Sequence, residues 1–218
     1  MSEFLSNWKA GVEQSNYHFD WHRQESAGYD YKWLARFDCN WDTELDEIKK
    51  TAQPKTWATR GKKYHNDHPK LQAEENDLLN AGMSKDTVIF RKHFEFTGIW
   101  EQVIDSFGLV NTKQAFHIQY PGEMLNLHID KQYEMNNDPS QVARFFIFLE
   151  DWKPGHFLQM GTSFIQWRKG DVIVFDWKNI PHASANAGWE PRCLIQLTGT
   201  ITEKTKELFL GNKKWIKL

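Results

Sequence analysis

From about residue 112 onward, short apolar or alternating segments follow one another at regular intervals, each closed by Gly or Pro. "TKQAFHIQY" ends at Pro121–Gly122 and is followed at once by "MLNLHID". "ARFFIFLEDW" ends at Lys153–Pro154–Gly155, "HFLQM" at Gly161 and "SFIQWR" at Lys169–Gly170. "DVIVFDW" leads into "KNIPHAS", and "RCLIQLTGTIT" closes the series. Strands of this length and spacing predict an antiparallel sandwich or barrel. Just upstream the period changes. Ile99, Val103, Ile104 and Phe107 recur at helical spacing in "TGIWEQVIDSFGL", with Thr97 placed to cap the start and Gly108 to close the end. A second short helix is predicted over "KLQAEENDLLNAGM", on a loose stripe of Leu71, Leu78 and Leu79. The expected layout is one domain over 1–218: a polar, aromatic N-terminal cap to about residue 85, a supporting helix over 86–111, a β core over 112–202, and a C-terminal tail over 203–218.

Composition narrows the class. A chain of 218 residues with 11 Trp and 15 Phe can bury a bulky core. A net charge of −2 gives no overall electrostatic footprint for nucleic acid or an anionic membrane. The sequence shows no apolar run long enough to span a bilayer and no secretory signal in "MSEFLSNWKAGVEQ". Two cysteines, Cys39 and Cys193, make neither a disulfide framework nor a metal knuckle. A reducing cytoplasm is the expected setting.

The chemistry concentrates in "LHID". On a strand, His128 and Asp130 share one face while Leu127 and Ile129 take the other. Alone, the pair reads as the polar face of a half-buried strand. Further along, His182 follows Pro181, and Arg192 begins a strand ten residues later. Two imidazoles and a carboxylate are the ligand set of the facial triad, which holds Fe(II) and leaves three coordination positions open. Arg192, Leu194, Gln196 and Thr198 share one face of their strand, and the apolar Cys193, Ile195 and Leu197 share the other. The first set is expected to face the lumen, with Arg192 and Thr198 placed for a carboxylate, because a buried guanidinium needs an anion and its fork suits bidentate recognition.

In order and spacing, His128-x-Asp130, His182 and Arg192 resemble the Fe(II)- and 2-oxoglutarate-dependent dioxygenases. "YPGEMLNLHID", "RFFIFLEDW" and "KGDVIVFDWKNIPHAS" are similar to segments of the prolyl hydroxylase-like members. The resemblance covers residues 112–202. It implies a mainly β fold with flanking helices, a double-stranded β-helix (a cupin-like jelly-roll). It implies Fe(II) held by His128, Asp130 and His182, and 2-oxoglutarate whose far carboxylate is gripped by Arg192, with Tyr120 as a second hydrogen-bond partner. The implied activity is dioxygen-dependent hydroxylation of a C–H bond in a peptide, amino acid or small metabolite, with release of succinate and CO2. The chain departs from many relatives after the third strand, where Pro154–Gly155–His156 stands in place of a Gly-Gly turn.

Other residues are weighed individually. Trp177, His156 and Arg144 are candidates for the substrate pocket, each with an ordinary packing or surface role as its alternative. His117 and Gln119 alternate on the strand before the motif, and His117 reads more readily as a core or surface residue than as part of the lumen. Cys193 reads as a small hydrophobe. Arg60, Lys62, Lys63, His65, His68 and Lys70 form a basic cluster read as a solvated loop, with a mobile lid or an acidic-substrate contact as its alternative. "NKKWIKL" reads as a solvated tail with Trp215 tucked against the domain. Nucleic acid is disfavoured as a partner for want of an Arg/Lys-interleaved stacking platform. Two other functional classes stay open: a cupin-like metalloenzyme that does not use 2-oxoglutarate, and a non-catalytic jelly-roll binding module.

Overall fold

The computed structural model describes residues 10–15, 17, 30–51, 90–92, 97–130, 138–210 and 214–218. Its elements, in chain order, are β1 (Lys32–Asp38), α1 (Asp42–Thr51), β2 (Phe90–Lys92), α2 (Ile99–Asp105), β3 (Val110–Gln119), β4 (Met124–His128), β5 (Val142–Phe148), β6 (His156–Met160), β7 (Ser163–Phe164), β8 (Asp171–Val174), β9 (His182–Asn186), β10 (Arg192–Thr200), α3 (Glu203–Phe209) and β11 (Lys214–Lys217). They form a seven-stranded sheet, β11-β1-β8-β5-β10-β3-β2, and a four-stranded sheet, β4-β9-β6-β7. From β3 to β10 the chain passes between the two sheets, pausing only at the β6–β7 hairpin. That order is a double-stranded β-helix, a form of the antiparallel sandwich expected from the strand pattern and the form that the resemblance implies.

The period-two reading of β10 is realised. Cys193, Ile195 and Leu197 pack outward with Phe116, Phe145 and Ile147 against Trp41, Leu45, Trp100, Val103 and Phe107 of the helical layer. Leu194 faces inward, into a second cluster with Phe146, Phe148, Leu158, Met160 and Trp167 between the sheets. Both faces of the large sheet are therefore covered, one by helices and one by the small sheet, which is why Val142–Phe148 is buried throughout.

Several boundaries differ from the sequence reading. α2 forms as expected on Trp100, Val103 and Ile104, but Thr97 does not cap it. Gly98 is the N-cap, at φ 61, and makes no side-chain cap bond. This turn displaces Thr97 from the capping position, and it supplies only its carbonyl, to the Trp100 N–H. Ser106 is the C-cap; Gly108, two residues on at φ 64, donates its N–H to Asp105 O and ends the turn that follows the helix. Residues 203–218 are not a solvated tail. α3 starts with a capping box between Thr202 and Thr205, and β11 pairs in parallel with β1. "KWIK" alternates as an edge strand should. Trp215 on it is 65% exposed, with the Arg36 guanidinium 5.3 Å from its ring centroid, and is not tucked inward. β1 and α1, assigned by sequence to the cap, belong to the large sheet and its core. The basic cluster at 60–70, the helix expected at 70–83 and the His65–His68 run lie outside the described residues. No helix among the described residues is long and apolar enough to cross a membrane.

Gly170, just before β8, links the two strands that flank β8 in the large sheet. At φ 82 its N–H donates to Phe148 O and its carbonyl accepts from Phe37 N. A Cβ there would stand 2.4 Å from the Phe37 carbonyl oxygen. Gly170→Ala is expected to lower the unfolding free energy by about 2 kcal/mol, read as a shift in the urea midpoint.

Candidate metal centre

The strand β4 carries one residue more than its partner can match. Leu125 pairs with Ser184 and His128 with His182, three steps on β4 against two on β9. The extra residue is a β-bulge. Leu125 already faces the cavity between the sheets, so unbroken alternation would send Leu127 inward and His128 outward. The bulge reverses that parity and turns His128 in. β4 ends at His128, so Asp130 stands just beyond it and not on the strand.

His128, Asp130 and His182 come together, their candidate ligand atoms all within 4.8 Å of one another. The imidazole rings lie 4.3 Å apart between centroids. Nε2 of His128 is 3.7 Å from Asp130 Oδ1, and Nε2 of His182 is 3.3 Å from Asp130 Oδ2. On each ring Nδ1 faces a carbonyl two residues back, Asn126 O at 2.7 Å and Ile180 O at 3.2 Å. Those bonds favour the Nδ1–H tautomer and leave both Nε2 lone pairs turned to the carboxylate. Burial, reinforced by the adjacent His182, pushes His128 below its ordinary value and so towards the neutral, ligating form. Burial alone would raise the Asp130 carboxyl, but the Arg144 guanidinium and the two imidazoles outweigh it and hold it well below the usual carboxylate range.

The same cavity reaches Arg192 and is walled by Leu125, Phe146, Leu158 and Leu194. Arg192 is 3% exposed, and among the described residues its Nε and Nη1 have no hydrogen-bond partner. Burial pulls its pKa down to about 10, which leaves it cationic at neutral pH. Opposite it in register is Gln119, which is fully buried. Its Nε2 is fixed on the Ser184 carbonyl and hydroxyl, while its Oε1 is unpartnered among the described residues.

The remaining sequence candidates separate. Thr198 is spent on Arg144, accepting from its Nε at 3.0 Å. It stands six residues along β10 from Arg192, about 20 Å at strand rise, so the two do not grip one carboxylate. Tyr120 follows the inward Gln119 and packs on the helix-side cluster, across the sheet from Arg192. Trp177 is a buried wall: its Nε1 donates to Val142 O and its ring lies under Arg144. His156 is buried on β6, with Nε2 facing Glu190 O and its ring stacked with Trp167. His117, read from sequence as a core or surface residue, lines the cavity. Ser184 was not singled out. Its signal was the alternation His182, Ser184, Asn186 in "HASAN".

The donor set fits a single divalent ion. Two imidazole Nε2 atoms and a carboxylate lie within 4.8 Å of one another, the donor types that borderline and harder divalent metals require. No thiolate is present to close the site as a structural zinc centre.

No family model matches the chain, and no curated protein matches it. Solved structures similar to it include a prolyl-4-hydroxylase of Pseudomonas putida, at 19% identity and TM-score 0.41, over 52% of this chain and 71% of that one. Another is the Cupin_2 domain of an XRE family transcriptional regulator from Enterobacter cloacae, at 11% identity and TM-score 0.34, over 52% and 98%. A third is the non-heme monooxygenase ThoJ in complex with nickel, at 21% identity and TM-score 0.34. The match covers 40% of this chain and only 42% of that monooxygenase.

Two outcomes follow from this geometry. Deleting Asn126 removes the extra residue and leaves His128 two steps from the inward Leu125, still opposite His182. Co(II) binding is therefore expected to persist, weakened about 10- to 100-fold by loss of the Asn126 carbonyl that orients Nδ1, with the far-ultraviolet circular dichroism unchanged. Arg192→Met keeps the volume and removes a buried, unpaired charge. It is expected to raise unfolding stability by about 2 kcal/mol, measured by urea denaturation without added ligand.

Proposed function

We propose that this protein is an Fe(II)- and 2-oxoglutarate-dependent oxygenase that hydroxylates a C–H bond of a peptide, an amino acid or a small metabolite. One oxygen atom of O2 enters the substrate and the other enters succinate, while the 1-carboxylate of 2-oxoglutarate leaves as CO2. The observation that carries this reading is Arg192: a buried cation whose Nε and Nη1 have no partner among the described residues, opening on the same cavity as the His128–Asp130–His182 triad. A cupin metalloenzyme that does not use 2-oxoglutarate has no need of such a clamp.

Each side chain has a defined task. His128 and His182 present Nε2 to the metal, their tautomers set by Asn126 O and Ile180 O. Asp130 supplies the anionic ligand. Arg192 binds the distal carboxylate of 2-oxoglutarate through charge-assisted hydrogen bonds, and Gln119 stands opposite it as the nearest neutral polar group in register. Leu125, Phe146, Leu158 and Leu194 keep the space between the two ends dry. Iron held by His128, Asp130 and His182 would supply the redox chemistry toward dioxygen, with 2-oxoglutarate as the source of electrons.

The test is anaerobic titration of the Fe(II)-loaded protein with 2-oxoglutarate, followed in the visible range. A weak charge-transfer band is expected, absent in His182→Ala. Arg192→Met should need roughly 10- to 100-fold more 2-oxoglutarate, in line with loss of a charge-assisted pair. Metal binding with no response to 2-oxoglutarate would overturn the proposal in favour of the 2-oxoglutarate-independent metalloenzyme.

A further inference from the structure

Arg144 lies on β5, in register with Thr198 of β10, and is fully buried. Its Nη1 donates to Asp130 Oδ2, its Nε donates to Thr198 Oγ1 at 3.0 Å, and its guanidinium carbon sits 5.3 Å from the Trp177 ring centroid. Trp177 is itself pinned by its Nε1 bond to Val142 O. Arg144 is not on the cavity wall. It stands behind Asp130.

Neither packing nor stability accounts for a guanidinium here. The neighbouring inward positions of β5 are Phe146 and Phe148, both in the apolar cluster between the sheets. Removing a cation and a carboxylate from water offsets most of what their attraction returns, and apolar residues of the same volume stabilise at least as well. Among the described residues, however, Asp130 has no other cationic anchor besides the two imidazoles it faces. It lies past the end of β4, outside the ladder that fixes His128 and His182. We propose that Arg144 is the positioning residue that orients Asp130 for metal ligation, with Thr198 and Trp177 bracing its guanidinium. Anchoring at Nε and Nη1 fixes the fork in its plane. With Oδ2 engaged, Oδ1 on the His128 side is the oxygen left for the ion, so Asp130 ligates through one oxygen only.

This inference rests on the triad being a metal site, and the experiment separates the two. Co(II) is titrated into the full chain and its affinity measured for the native protein, Arg144→Met, Arg144→Lys, Thr198→Val, Asp130→Ala and the Asp130→Ala/Arg144→Met pair. Arg144→Met is expected to bind Co(II) about 10- to 100-fold more weakly, the usual effect of losing an outer-shell partner. Arg144→Lys should recover part of that loss, since it keeps the charge without the fork. Thr198→Val, which leaves the ion pair intact, should weaken binding about 3- to 10-fold, the equivalent of one neutral hydrogen bond. In the Asp130→Ala background Arg144→Met should have almost no further effect on affinity. A merely structural Arg144 would lower the unfolding midpoint yet leave Co(II) affinity unchanged, or would weaken it by the same factor with and without Asp130. Either result overturns the proposal. A native chain that binds no Co(II) sinks the metal reading itself.

Discussion

A charge taken out of water between two sheets must meet an opposite charge or a strong hydrogen-bonding partner, and the arrangement of this interior follows from how three charges meet that demand. Asp130 and Arg144 meet it with each other, across the end of β5. Arg192 does not meet it among the described residues. A satisfied pair and an orphaned cation therefore share one jelly-roll interior. The pair holds the ionised form of a ligand in place. The orphan has no role in folding that a methionine could not fill, and a polar group that burdens the fold marks a place where function overrides stability.

The two sheets divide the work. The large sheet carries the mass of the core, with Phe145, Ile147, Ile195 and Leu197 on its helix side and Phe146, Phe148 and Leu194 on the other. The small sheet supplies both histidines, on β4 and β9, where they face each other in register. Placing the two imidazoles on adjacent strands of one sheet fixes their separation by the strand spacing itself. The carboxylate cannot come from the same ladder without crowding them. It comes from just beyond the end of β4, and a residue off the ladder must be held from outside. Arg144, on the opposite sheet, is the group that reaches it.

The sequence disclosed most of the frame, because period-two alternation and Gly or Pro punctuation are direct imprints of strands and turns. The gathering of His128, Asp130 and His182 was legible from residue type, order and spacing, and the outward packing of Cys193, Ile195 and Leu197 from alternation. The shared strand face expected of His128 and Asp130 was not realised, since Asp130 lies past the end of β4. The bulge in β4 was not. One extra residue leaves no compositional trace, and it changes which face His128 occupies. Thr198 shows a different limit. Sharing a face with Arg192 is a statement about parity, whereas sharing a ligand is a statement about distance, and six residues of strand separate the two. Tyr120 failed on parity, since Gln119 beside it is the inward residue. Parallel pairing of β11 with β1 joins chain segments about 180 residues apart, and no local pattern encodes that.

The charges also bear on what the cavity accepts. On the proposed reading, a divalent ion at the triad joins one carboxylate, Asp130, and two guanidiniums, Arg144 and Arg192, with both imidazoles neutral. Three positive charges are then uncompensated in a buried space. A neutral ligand leaves all three, and a monoanion leaves two. A dianion with its carboxylates at opposite ends, one at the metal and one at Arg192, leaves a single charge and places each negative group against a positive one. Arg144 sharpens this preference although it stands behind the wall, because its field acts through a low-dielectric interior. The residue that orients Asp130 thus also raises the cavity's demand for a doubly charged partner, so geometry and electrostatics select the same class of co-substrate.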